Sequence, residues 1–260
     1  MQHWKNLIIE HDAITQLTVN RPEQRNAIDF STMDELEAVL SILEQDTALR
    51  ALVLTGGGDT FISGGDLKDF QTLLTADDGR RMAERMGAIL TRLSCLPVPV
   101  IAALNGPAVG GGTEVALACD LRVAAADAYF SFRQVTMGIM TAWGGAPRLL
   151  ALLGFARSLY YLLTAERITA EQALQMGLVQ RVTPEGHAVT GAIELGQQLV
   201  DQPPLAVRAI KQTLRHITGV PFEAAAVFEV QEFSKVWASD DHLEAVQAFF
   251  HKRPPVFHGR

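Results

Sequence analysis

Short apolar runs alternate with segments of helical period through the first two thirds of the chain, and that recurrence confines it to the α/β class. Ile14–Val19 alternates apolar and polar residues and stops at Asn20-Arg21-Pro22, which predicts a strand and a turn. Ser31 has the chemistry of a helix N-cap, ahead of Met33, Leu36, Val39, Leu40 and Leu43 at helical spacing. Residues 51–55 and 98–103 read as buried strands and residues 78–94 as a helix between them, while Leu121–Ala125 and residues 129–132 read as two further strands. The fingerprint G-x-G-x-x-G is absent, which argues against a doubly wound dinucleotide fold. Neither G-x-x-x-x-G-K-[ST] nor G-x-S-x-G occurs. From about residue 186 the pattern turns helical, over 203–217, 221–238 and 240–250, with Pro203-Pro204 at a hinge. The expected organisation is a core over residues 1–195 and a helical region over 196–260.

The 260 residues suffice to bury a sizeable core, and a 48% apolar, 20% charged composition excludes disordered, collagen-like and coiled-coil classes. A net charge of −7 lacks the footprint of a nucleic-acid or membrane-surface binder, so neither is expected as a partner. Cys95 and Cys119 are too few for a disulfide framework or a Cys-rich zinc site and read as buried thiols of a reducing cytoplasm. The first residues lack the layout of a signal peptide, and the most apolar stretch, 96–104, is too short to span a bilayer. A cytoplasmic location is expected. The histidines show no metal-ligand spacing, so no metal is expected.

The densest chemical candidate is Asn105-Gly-Pro-Ala-Val-Gly110-Gly111-Gly112-Thr113-Glu114, between a buried strand and an apolar helix. Bare backbone N–H groups at a helix N-terminus suit a developing oxyanion. The competing reading is tight strand–helix packing, with Glu114 only complementing the helix dipole. A second glycine turn, Phe61-Ile62-Ser63-Gly64-Gly65-Asp66, offers another N–H and a capping carboxylate, although alone it is a weak signal and a plain loop is the commoner explanation.

Taken in order, several segments resemble the crotonase superfamily, the enoyl-CoA hydratase/isomerase family. They are Leu17-Thr-Val-Asn-Arg-Pro-Glu-Gln-Arg-Asn-Ala27, Phe61-Ile-Ser-Gly-Gly-Asp66, Pro99-Val-Ile-Ala-Ala-Leu-Asn-Gly106, Gly110-Gly-Gly-Thr-Glu114, Cys119-Asp120, Arg167-Ile-Thr-Ala-Glu-Gln-Ala173, Gly177-Leu-Val179 and Phe249-Phe-His-Lys-Arg-Pro254. The resemblance implies a spiral of ββα units with C-terminal helices that trimerise, as a homotrimer or a homohexamer built as a dimer of trimers. It implies acyl-CoA thioesters as substrates, with coenzyme A part of the substrate and no separate cofactor. The family's oxyanion hole carries over onto the backbone N–H groups of Ser63, where relatives usually have Ala, and Gly111. Ile62, Gly65, Asp66, Leu67, Gly110, Met137 and Trp143 are then expected to line the substrate. Arg25 and Lys252 are expected near the CoA phosphates, although each also fits a solvated charge.

Glu114 matches one catalytic glutamate of the hydratases; at the position of the other this chain has Gln134. An amide does not exchange protons near neutral pH. Decarboxylation of a malonyl-type thioester needs no base to form its enolate, and the Met137–Gly145 stretch and Ser63 resemble ethylmalonyl-CoA decarboxylases. That reaction is therefore the expected one. The alternatives are an enoyl-CoA hydratase or isomerase with a single glutamate, and a catalytically silent CoA-binding scaffold.

Overall fold

The computed structural model describes residues 4–260. Its main sheet joins β1 (Leu7–Glu10), β2 (Ile14–Val19), β3 (Ala51–Gly56), β4 (Val100–Leu104), then β6 (Leu121–Ala125) and β9 (Arg181–Thr183), in that spatial order. The β1–β2 hairpin is antiparallel and every other pairing in this sheet is parallel. A small second sheet pairs β5 (Ala108–Val109) with β7 (Tyr129–Ser131), and β7 with β8 (Ile168–Thr169). β3 and β4 are buried along their whole length, as near-continuous apolar runs in a parallel sheet require.

The helices are α1 (Phe30–Leu43), α2 (Leu67–Phe70), α3 (Ala76–Cys95), α4 (Gly111–Ala118), α5 (Gly145–Thr164), α6 (Ala170–Gln175) and α7 (Ala188–Val200), followed by α8 (Pro204–Ile217), α9 (Phe222–Trp237) and α10 (Asp240–His251). α1 starts earlier than the sequence suggests. Its N-cap is Asp29, not Ser31, because the Asp29 carboxylate accepts the Thr32 N–H at 2.7 Å and also pairs with Arg21 at 2.8 Å. α3 is fixed at its start by a capping box between Thr75 and Asp78. Residue 195 falls inside α7, which packs on the main sheet, and the chain leaves that layer at Asp201-Gln202-Pro203. Pro204 takes the first position of α8, where its missing N–H costs nothing. Cys119 is buried as expected, whereas Cys95, the last residue of α3, is exposed.

This topology brings two loops together. β3 and β4 are parallel neighbours, so the chain leaves both at the same edge of the sheet. Asn105, after β4, donates to the carbonyls of Gly56 and Gly58 at 2.9 and 2.8 Å, and its Oδ1 accepts from the Thr55 hydroxyl at 3.1 Å. Asn26 donates to the carbonyls of Gly57 and Thr60 at 2.8 and 2.6 Å. Asn105 thus clamps the loop after β3 against the loop after β4, and the buried Asn26 ties that same loop to the turn after β2.

Candidate active site

α4 begins where β5 ends, and the backbone must turn sharply between them. Gly110 does this at φ +54°, ψ −123°, while its N–H donates to the Ser131 carbonyl at 2.8 Å. Gly111 opens the helix, so its N–H has no intrahelical acceptor. The indole of Trp143 lies directly over it: a Cβ at Gly111 would stand 2.2 Å from Cζ3 of that ring. Trp143 is otherwise enclosed, and its indole N–H points at the Met82 sulfur on α3 at 3.3 Å.

Glu114 sits one turn into α4 and is 2% exposed. Its Oε2 accepts the backbone N–H groups of Trp143 and Gly145, both at 2.8 Å. Its Oε1 accepts from the Gln134 side-chain amide at 3.0 Å. Burial raises the pKa of this carboxyl above the ordinary carboxylate value, against the N–H groups of Gly145, Trp143 and Gln134, which favour the charged form. Such an arrangement is chemically able to accept a proton: a single carboxylate, held by one oxygen on two backbone N–H groups, with the other oxygen facing a neutral amide. Gln134 is itself buried on the short 3-10 turn Arg133–Met137, and its Oε1 has no hydrogen-bond partner.

The predicted residues divide accordingly. Glu114, Gln134, Gly110, Gly111 and Trp143 come together. Ile62 is fully buried and bridges to Ala108, joining the two loops through their backbones. Gly64, at φ +107°, packs closely enough that a Cβ there would lie 3.0 Å from the Gly111 nitrogen, so Ser63 stands beside the α4 N-terminus. The Ser63 N–H nevertheless donates to the Arg25 carbonyl at 3.1 Å, and serves a ligand only when that carbonyl yields. Arg25 and Asn26 both hold positive φ, 50° and 56°, a strained pair at the edge of the site. Gly65 abuts the Phe70 ring.

Asp66, expected both as a helix cap and at the substrate, is engaged in the capping role. It caps α2 through the N–H groups of Lys68 and Asp69 and pairs with Arg21 at 3.0 Å. Burial opposes ionisation of this carboxyl, and Arg21 with the two N–H groups prevails, holding it below the usual range. Leu67 and Met137 are exposed, at 65% and 58%. Lys252 stands at the C-cap of α10 at φ +52° and is exposed.

Three arginines went unremarked in the sequence. Arg21 joins Asp29 and Asp66, tying α1 to α2. Arg148 donates to the Trp143 carbonyl at 3.0 Å and so steadies the loop whose N–H groups hold Glu114. Arg122 lies buried under α4, hydrogen-bonded to backbone carbonyls alone. A charged residue inside the apolar run Leu121–Ala125 was the available signal for it.

Comparison with known proteins fits this geometry. The family model described as "Enoyl-CoA hydratase/isomerase" matches residues 10–260. The short-chain-enoyl-CoA hydratase of Clostridium acetobutylicum is 34% identical over 250 residues, covering 95% of each chain. A carnitinyl-CoA dehydratase of Citrobacter koseri is 39% identical over 259 residues, covering 96% of this chain and 97% of its own. Among solved structures, an enoyl-CoA hydratase from Bacillus anthracis superimposes with a TM-score of 0.95 at 32% identity, over 98% of this chain and 100% of the other. A match that spans nearly the whole sequence, on a fold this similar, identifies the chain as a member of the crotonase superfamily, in its enoyl-CoA hydratase/isomerase family.

Proposed function

We propose that this protein adds water to, or removes it from, the carbon–carbon bond beside the carbonyl of an acyl-CoA thioester. One observation carries the reading: a buried carboxylate, Glu114, with a raised pKa stands one turn from the unpaired helix-opening N–H of Gly111. The thioester oxygen takes the Gly111 N–H and, once the Arg25 carbonyl withdraws, that of Ser63. Both donors stabilise the enolate charge that develops in either direction of the reaction. Glu114 is the group that moves the proton. The names of the relatives favour the hydratase reading over the decarboxylation expected from Gln134.

The test is incubation of the purified protein with crotonyl-CoA, 3-hydroxybutyryl-CoA, ethylmalonyl-CoA and methylmalonyl-CoA, followed by mass spectrometry. The expected result is gain of one water on crotonyl-CoA and its loss from the hydroxy product. Release of CO2 from a malonyl-type thioester without hydration would restore the decarboxylase reading, to which the neutral Gln134 gives a specific motive.

The same reading includes self-association. α8–α10 leave Phe222, Phe233, Trp237, Phe249 and Phe250 exposed, and apolar grooves of about 510 and 310 Å³ run beside α8. Burying them against copies of the chain gives a closed homotrimer or a dimer of trimers. Light scattering on the purified protein is expected to give a mass three or six times that of the chain, and a monomer at micromolar concentration would remove this proposal.

A further inference from the structure

Gln134 is an unusual companion for a proton-transfer group. Its amide is 8% exposed, its Nε2 donates to Glu114 Oε1 at 3.0 Å, and its Oε1 is shielded from solvent with nothing to accept from. A buried acceptor left without a donor is costly, so this oxygen calls for a donor that the protein's own groups do not provide. The donor must fit beside Glu114. The other carboxylate oxygen is occupied by two backbone N–H groups, which leaves Oε1 as the one able to exchange a proton.

Resting on the hydratase reading above, we propose that Gln134 orients the oxygen that is added or lost, while all proton traffic runs through Glu114 alone. The reacting water donates one O–H to Glu114 Oε1 and the other to Gln134 Oε1, and its lone pair is thereby aimed at C3 of the enoyl thioester. As the C3–O bond forms, the water's proton passes to Glu114 and the electron pair of the C2–C3 double bond moves into the thioester enolate. Glu114 Oε1 then returns that proton to C2, the enolate collapses, and the carboxylate is regenerated. One water is consumed, one hydroxyl and one hydrogen are added, and no second acid takes part. Because a single oxygen serves both carbons, the two groups add to the same face. Gln134 neither gains nor loses a proton at any point.

The charged surroundings are sparse. Arg148, from α5, is the cation whose field reaches Glu114; Arg133, on the turn that carries Gln134, is exposed; Cys119 lies at the far end of α4. A profile governed by Glu114 alone follows. For the wild type, kcat/KM on crotonyl-CoA should rise with pH through one ionisation and then stay level until general denaturation.

Gln134→Met keeps the bulk of the side chain and removes both hydrogen bonds. It is expected to lower kcat about 10–100-fold, with KM changed less than about 3-fold, and to move the acid limb to higher pH because the carboxylate loses a donor. Gln134→Glu places a second carboxylate against the first and is expected to add a second ionisation to the profile. Circular dichroism melts establish that each variant is folded, and Gln134→Glu serves alone if Gln134→Met is not. Hydration by Gln134→Met at the wild-type rate, or a Gln134→Glu profile identical to wild type, would overturn the assignment to Gln134 and leave the hydratase reading standing. A wild-type protein that hydrates no enoyl-CoA would overturn both.

Discussion

Replacing Glu114 with Gln is expected to lower kcat for crotonyl-CoA hydration by about 10²–10⁴-fold while leaving the fold intact. The variant keeps the shape of the side chain: an amide oxygen in place of Oε2 still accepts the N–H groups of Trp143 and Gly145. Its amide nitrogen then faces Gln134, whose free Oε1 accepts it once that amide reverses. Only the exchangeable proton is lost. The stability effect runs the other way. Glu114 has a folded-state pKa above its unfolded value, so its contribution is fully present below the ordinary carboxylate range and lost as pH rises through the raised value. At neutral pH the protein carries the cost of a buried charge that Gln does not have. The melting temperature of Glu114→Gln should therefore equal or exceed that of the wild type at pH 7 and lose the advantage in acid. Calorimetry across that range with steady-state kinetics tests both halves, and a variant that hydrates at wild-type rate would remove Glu114 from the chemistry.

Arg122→Met is expected to be the most damaging substitution for stability, at about 4 kcal/mol, near the upper end for single changes. The guanidinium is 2% exposed and donates to the carbonyls of Leu178 at 2.6 Å, Ala116 at 3.2 Å, Cys119 at 2.7 Å and Asp120 at 3.3 Å. Burial disfavours its charge, and no carboxylate forms an ion pair with it among the described residues. The partial negative charge at the C-terminus of α4 compensates instead, through the Ala116 and Cys119 carbonyls. Methionine fills part of the space but leaves four carbonyls, three of them in buried contacts, without that donor. Arg122→Lys keeps the charge and cannot span the same acceptors, so it should fall between the two. The urea midpoint should drop with little change in slope. Activity should fall as well, because α4 carries both Gly111 and Glu114. A loss below about 1 kcal/mol would mean that water or a neighbouring side chain replaces the guanidinium.

Local pattern was enough for much of the scaffold. Apolar runs gave β2, β3, β4 and β6 within two residues, and the amphipathic periods gave α8, α9 and α10. The antiparallel first strand, Leu7–Glu10, was not legible, because its alternation is too short to separate from a loop. The start of α1 was misplaced because two residue types that both cap helices, Asp29 and Ser31, stand two apart. Only the chain folded back onto Arg21 decides for the aspartate.

The chemistry available to the site is written in the linear chain: a glycine-lined turn into an apolar helix, one carboxylate a turn later, and an amide where the resembled family carries a second acid. These are matters of residue type and short spacing, which a linear string displays. Tertiary structure alone decided what each group is engaged in. It set the Trp143 and Gly145 N–H groups, 29 and 31 residues downstream, on one oxygen of Glu114, and left Gln134 Oε1 unpaired. It also paired Asp66, whose capping role the sequence suggests, with the distant Arg21, and gave the Ser63 N–H to the Arg25 carbonyl. Burial and hydrogen-bond partnership depend on which distant segments the sheet brings side by side, and that shifts a carboxyl's pKa or occupies an N–H without altering a residue nearby in sequence.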